Sequence, residues 1–200
     1  MDDQTQTTGG SKADEIMRVG QQLIQTNGYD GFSYRDIADL VGIKSASIHY
    51  YFPTKADLAL AVTRQYRSEF ADAVNALSEA ELGSLDRLAG FAGVFQRTLE
   101  DFDRVCLCGM LASESSSLPD VVRGETEQFF IDQQDWIEAT IRAGIDSAEI
   151  PATVEPGAFA RTFLSALEGA MMMARSMNRP EHLAEVSAQL IGLLEPSADS

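Results

Sequence analysis

Positive charge is scarce in this chain: 15 Lys and Arg stand against 31 Asp and Glu, a formal net charge of −16 over 200 residues. An acidic total counts against indiscriminate nucleic-acid binding. Histidine and cysteine number two each, too few at recognised spacings for a dedicated metal site, and no cofactor is expected. So little cysteine and no signal peptide argue against a disulfide framework. The lack of a long apolar run argues against a membrane span, so a cytoplasmic chain without a membrane partner is expected. Proline is limited to six and strand-like alternation is missing. The apolar spacing is helical throughout, which predicts an all-α fold. No nucleophile–base–acid set, P-loop or Gly-rich dinucleotide signature occurs, so no catalytic residue is nominated and an enzyme is not expected.

Hydrophobic residues nevertheless reach 44%, enough to fill a core. The charge is uneven. Residues 11–60 hold five Lys/Arg against six Asp/Glu, whereas residues 61–200 hold ten against twenty-three. A near-neutral segment therefore sits on an acidic body. The polar, Gly/Thr-rich opening, residues 1–10, reads as a disordered arm.

Capping residues divide the rest into helices. The first is expected over Ala13–Thr26, stopped by Gly28. Ser33, with Asp36 three residues on, caps a second that Gly42 ends, and a third covers Ser45–Tyr51. Pro53 breaks the chain, and Thr54 with Asp57 caps a long fourth helix reaching Ala80 and linking two layers. Further helices are expected near 84–100, 104–115, 119–146, 155–177 and 181–195.

The stretch RDIADLVGIKSASIHYYFPTK (35–55) carries the chemistry. Two short helices joined by a Gly-containing turn make a helix-turn-helix. Ala38 permits close approach, Gly42 can take the left-handed conformation of the turn, and Ile37, Ile43 and Ile48 form a buried wedge. Lys44, Ser45, Ser47, His49 and Tyr50 then face outward. Arg35, Lys44 and Lys55 sit at or beside helix N-termini, where a cation is unfavourable in isolation but useful for holding a phosphate. The residues thus suggest a reading helix flanked by phosphate clamps.

IMRVGQQLIQTNGYD followed by GFSYRDIADLVGIKSASIHYYFPTKADLALAV closely resembles the DNA-binding domain of TetR-type transcriptional regulators. The resemblance covers residues 11–71. It implies a three-helix DNA-binding domain there and a helical ligand-binding and dimerisation domain over 72–200. It also implies phosphate contacts by Ser33, Tyr50 and Lys55, a phosphate or base contact by Arg35, and base reading by Ser45 and Ser47. His49 stands where the family usually has Tyr, and Tyr51 is expected to be mostly buried. The implied partners are a palindromic double-stranded operator, a small-molecule effector and a second copy of the chain. The most direct function is a repressor released by a hydrophobic or electrophilic effector. The alternative is a helical ligand carrier or protein-interaction module that never meets DNA.

In the body, FARTFLSALEGAMMMARSM and HLAEVSAQLIGLLEP form two consecutive amphipathic helices. Ala166, Gly169 and Ala170 would allow a four-helix interface across a two-fold axis. Phe91, Phe95, Phe102, Cys106, Met110, Phe130, Trp136 and Phe163 are the candidates to line an effector pocket. Cys106 and Cys108, two residues apart, would point in opposed directions on one helix. With Asp103 as N-cap, Cys106 falls at the third helical position, where free N–H groups favour a reactive thiolate. The other reading makes both cysteines small core residues.

Overall fold

Three helices start with the same device. Ser11, Ser33 and Thr54 each face an aspartate three residues on, Asp14, Asp36 and Asp57, whose carboxylate accepts the cap residue's backbone N–H. Such boxes satisfy donors that a helix start leaves free.

A computed structural model of the chain describes residues 11–102 and 104–196, the side chains of 100–102 excepted. The expected arm over 1–10, the Phe102 side chain and Asp103 lie outside the described residues. Within them all regular structure is helical: α1 Lys12–Asn27, α2 Tyr34–Val41, α3 Ser45–Tyr51, α4 Lys55–Glu79, α5 Ser84–Phe102, α6 Leu107–Ser113, α7 Asp120–Asp146, α8 Pro156–Ser176 and α9 Glu181–Gly192.

Helices α1–α3 form one layer around Ile16, Ile24, Ile37 and Ile48, all fully buried. The α4 helix runs without a break through residue 71, from α1 at its start to α5, α6 and α7 beyond. Arg67 on α4 fixes it against α7, with Nη1 to Glu125 Oε1 at 2.6 Å and Nε to Asp132 Oδ2 at 2.6 Å. The body core is aromatic. Phe70 packs on Phe91, Phe95 and Phe129 with ring centroids 5.2–5.6 Å apart, and Phe91 stacks on Trp136 at 5.3 Å.

One helix departs from expectation. The α6 helix begins at Leu107 rather than near 104, so Cys106 is its N-cap and not its third residue. The backbone ahead of it is committed elsewhere. Val105 O accepts Gln25 Nε2 at 2.9 Å, and Cys106 N–H donates to Met171 Sδ at 3.1 Å.

Candidate DNA interface and effector cavity

Gly42 ends α2 at φ 71°, ψ 35°, and Ile43 N–H returns to Ala38 O at 3.0 Å. This left-handed turn, natural for glycine, sets α3 across α2. Ile48 anchors α3 inward, with Ile43 partly buried beside it. Lys44, Ser47, His49 and Tyr50 are exposed and Ser45 is half-buried. Tyr50 is 84% exposed. Tyr51 is 40% exposed rather than mostly buried. Its ring stands edge-on to that of Tyr50, outside the wedge.

Ser33 and Arg35 are exposed at the start of α2, and the Ser33 hydroxyl donates to Asp36 Oδ2 at 2.8 Å. His49 Nδ1 lies 3.0 Å from Pro53 O. A carbonyl only accepts, so Nδ1 carries the hydrogen and Nε2 faces outward. Lys55 is the least free of the nominated contacts. Its ammonium donates to Phe32 O and sits over the Phe32 and Tyr29 rings, 4.2 and 4.8 Å from their centroids.

A cavity of about 540 Å³ lies in the body between α6, α7 and α8. Its walls include Gly109, Ala112, Phe130, Gln134, Leu164 and Glu168. Of the aromatic and sulfur residues nominated from sequence, Phe130 reaches this wall. Phe91, Phe95 and Phe163 lie buried in the aromatic core, Met110 is partly buried, and Trp136 Nε1 donates to Ser78 Oγ at 2.9 Å.

Cys106 is fully buried and stands behind the wall rather than in it. Tyr66 O–H, from α4, donates to its Sγ at 3.6 Å. Burial alone would raise the Cys106 thiol, but hydrogen bonds from Cys108, the Gly109 N–H, Tyr66 and Glu168 outweigh it and bring it down to about 6. Thiolates are stabilised by donors in this way. Burial, and then the Cys106 charge, hold the Glu168 carboxyl well above the usual carboxylate range. Burial raises the Cys108 thiol well above its usual range, and the hydrogen bond it donates to the Cys106 sulfur raises it further. The Cys106 sulfur is thus ringed by donors that favour its thiolate, and the raised carboxyl of Glu168 is one of them. Sequence reasoning missed Glu168, Tyr66 and Gln134. Glu168 carried a signal: a lone acid on the stripe that holds Leu164, Leu167 and Met171.

A helix-turn-helix layer with an exposed polar α3, joined by one long helix to a cavity-bearing helical body, defines a ligand-responsive DNA-binding regulator. Residues 16–62 match the bacterial regulatory proteins of the tetR family, and residues 84–190 match the tetracyclin repressor-like C-terminal domain. The chain belongs to the TetR family of transcriptional regulators.

Its relatives agree along their length. It is 28% identical to the transcriptional regulator AcuR of Cereibacter sphaeroides over 171 residues, 84% of this chain and 78% of that protein. A TetR-family regulator from Agrobacterium tumefaciens superposes with a TM-score of 0.89 at 32% identity, covering 92% of this chain and 98% of the other. The regulatory protein TetR from Rhodobacter sphaeroides gives 0.85 at 27% identity, with 92% and 99% covered. These are regulators rather than enzymes. No helix among the described residues is long and apolar enough to cross a membrane.

Proposed function

We propose that this chain is a homodimeric repressor whose two α3 helices read adjacent half-sites of a palindromic operator, and which an effector in the α6–α7–α8 cavity releases. Residues 11–71 serve as the DNA-binding domain and 72–200 as the effector and dimerisation domain, in the cytoplasm where the DNA lies. The observation that carries this reading is the exposed α3 face, Ser47, His49 and Tyr50 over the buried Ile48, in a layer free of the body's acidic excess. Ser33, Lys44, Tyr50 and Lys55 contact phosphates, Arg35 a phosphate or a base edge, and Ser45 and Ser47 contact bases. The dimer face is the outer side of α8 and the end of α9, where Met173, Met177 and Leu193 remain exposed. Of the small residues nominated from sequence, Gly169 borders the cavity and Ala170 packs into the subunit's own core.

The effector is small and largely apolar, as the cavity walls are, and the thiolate at Cys106 favours an electrophile. The test is selection of genomic fragments by the purified protein, then titration across salt. A dimer should retain a palindromic fragment with half-site centres about 34 Å or more apart and a steep loss of affinity with salt. A well-folded dimer with no preference over random DNA sinks the reading and leaves a helical ligand carrier.

A further inference from the structure

Glu168 stands where cavity and thiolate meet. It lines the cavity from α8, and its Oε2 and the Cβ of Cys106 both lie within 4 Å of where a Cβ on Gly109 would stand. Its Oε1 is enclosed and has no hydrogen-bond partner among the described residues, and its Oε2 lies over the Cα of Gly109. Gly109 leaves room for that carboxyl, because a Cβ at this position would collide with it. Among the described residues no Lys, Arg or His lines the cavity; the polar groups on its wall are Glu168, Gln134, Ser113 and Ser165. A buried polar atom left without a partner is costly in proteins, so an acid in this position signals a use.

We infer that Glu168 is the shutter and proton donor of a covalent site, and that this site captures small uncharged α,β-unsaturated carbonyl compounds on Cys106. This rests on the electrophile reading above and names its substrate class. Three features carry it: a nucleophile one side chain behind a ligand-sized cavity, an acid between the two, and a lining without the cation that a carboxylate ligand would need. The step balances without an oxidant. The Cys106 thiolate forms a C–S bond to the β-carbon, and the C=C π pair moves to the α-carbon. That carbon takes the Glu168 proton, and Glu168 regains one from water entering the cavity. The product is a thioether, the net addition of a thiol across the double bond.

The experiment measures Cys106 alkylation by peptide mapping in the full-length protein, with three reagents. N-ethylmaleimide is an uncharged acceptor whose adduct carbon must be protonated. N-carboxymethylmaleimide carries the same ring with a carboxylate. Iodoacetamide alkylates by displacement and needs no proton. Wild type should react with the uncharged maleimide at least ~100-fold faster than with the anionic one, a ratio far above that for free cysteine, since an unpaired charge is costly to bury. Glu168→Gln should slow the maleimide reaction about 100-fold or more, the usual scale for a positioned acid. Iodoacetamide should slow far less, since for it Glu168→Gln removes only one donor to the sulfur and no proton transfer, and Glu168→Asp should restore much of the maleimide rate.

Equal maleimide rates in wild type and Glu168→Gln overturn the proton-donor role. Equal rates for the two maleimides overturn the substrate class. If Glu168→Gln fails to fold, Gly109→Ala serves instead, since its Cβ displaces the carboxyl without removing it, and it should show the same split between reagents. None of these rates depends on DNA. An alkylation pattern as expected in a protein that ignores DNA sinks only the regulatory reading. An inert Cys106 in a protein that binds an operator sinks only this one.

Discussion

Glu114, the residue that ends α6, accepts the backbone N–H of Tyr29 at 2.5 Å across 85 positions of sequence. At the other end of α6, Val105 O accepts Gln25 Nε2. The short helix is therefore tied at both ends to the last residues of α1 and the turn after them, and between the ties it supplies Gly109, Ala112 and Ser113 to the cavity. Arg175, in the last turn of α8, donates to Gln25 O at 3.3 Å and joins the same turn. Tyr29 in turn sits under the Lys55 ammonium. The sequence assigns coupling between the layers to α4; the contacts add α6 as a second path.

Glu114→Gln should weaken that path. The lost interaction is a charge-assisted hydrogen bond, worth about 1.5–3 kcal/mol, toward the lower end here because Glu114 is partly exposed. Urea unfolding should show that loss. Operator affinity of the unmodified variant should stay within a few-fold of wild type, while the weakening caused by N-ethylmaleimide should shrink. A variant as responsive to alkylation as wild type would return the coupling to α4 alone.

Lys55→Ala and Ser47→Ala should fail in different ways. Lys55 is placed to meet phosphate, so its loss should weaken every sequence alike and reduce the salt slope by about one. Its ammonium also sits over the Tyr29 and Phe32 rings and donates to Phe32 O, so some stability should go with it. Ser47 stands on the exposed face of α3, and its replacement should instead change the preference among operator variants. Binding to a panel of single-base operator changes at two salt concentrations separates the two outcomes.

Much of this architecture was legible because it is written locally. Ser11, Thr54, Gly28, Gly42 and Pro156 mark helix ends by side-chain or backbone chemistry that acts within three or four residues. The start of α6 was not legible, since it is set by Gln25 and Met171, distant partners that claim the backbone of Val105 and Cys106. Helical spacing also cannot tell a core wall from a cavity wall. Phe91, Phe163 and Phe130 share the same pattern, yet Phe130 alone of these three borders the cavity described above. The acid among apolar neighbours at 168 was the one local mark of that site.

Met173→Glu should break the dimer without unfolding the subunit. Met173 is 52% exposed on the outer side of α8, so the change costs little in an isolated chain. Across a two-fold interface the same change places two like charges in an apolar contact. Sedimentation should show a monomer with unchanged helical content and a large loss of operator affinity. A variant that remains dimeric would move the interface away from this face.

The pH dependence of alkylation tests the thiolate itself. With the Cys106 thiol lowered to about 6, the reactive form is half populated near pH 6 and nearly complete above pH 7. The iodoacetamide rate should therefore rise through pH 6 and then level off, whereas in the unfolded chain it should still be rising near pH 8.5. The groups facing Cys106 support that sign. Tyr66 from α4 and Cys108 from α6 stay protonated, because burial raises both, and each donates to the sulfur. Burial and the thiolate also raise the Glu168 carboxyl, from α8, well above the usual carboxylate range. Glu125 on α7 acts on Cys108 and raises it further. Replacing Tyr66 with Phe removes one donor and keeps the ring, so the midpoint should move up while the plateau rate persists. A midpoint near 8.5 in wild type would mean that Cys106 is packed as a neutral thiol, and the cluster around it would then serve only to fill the core.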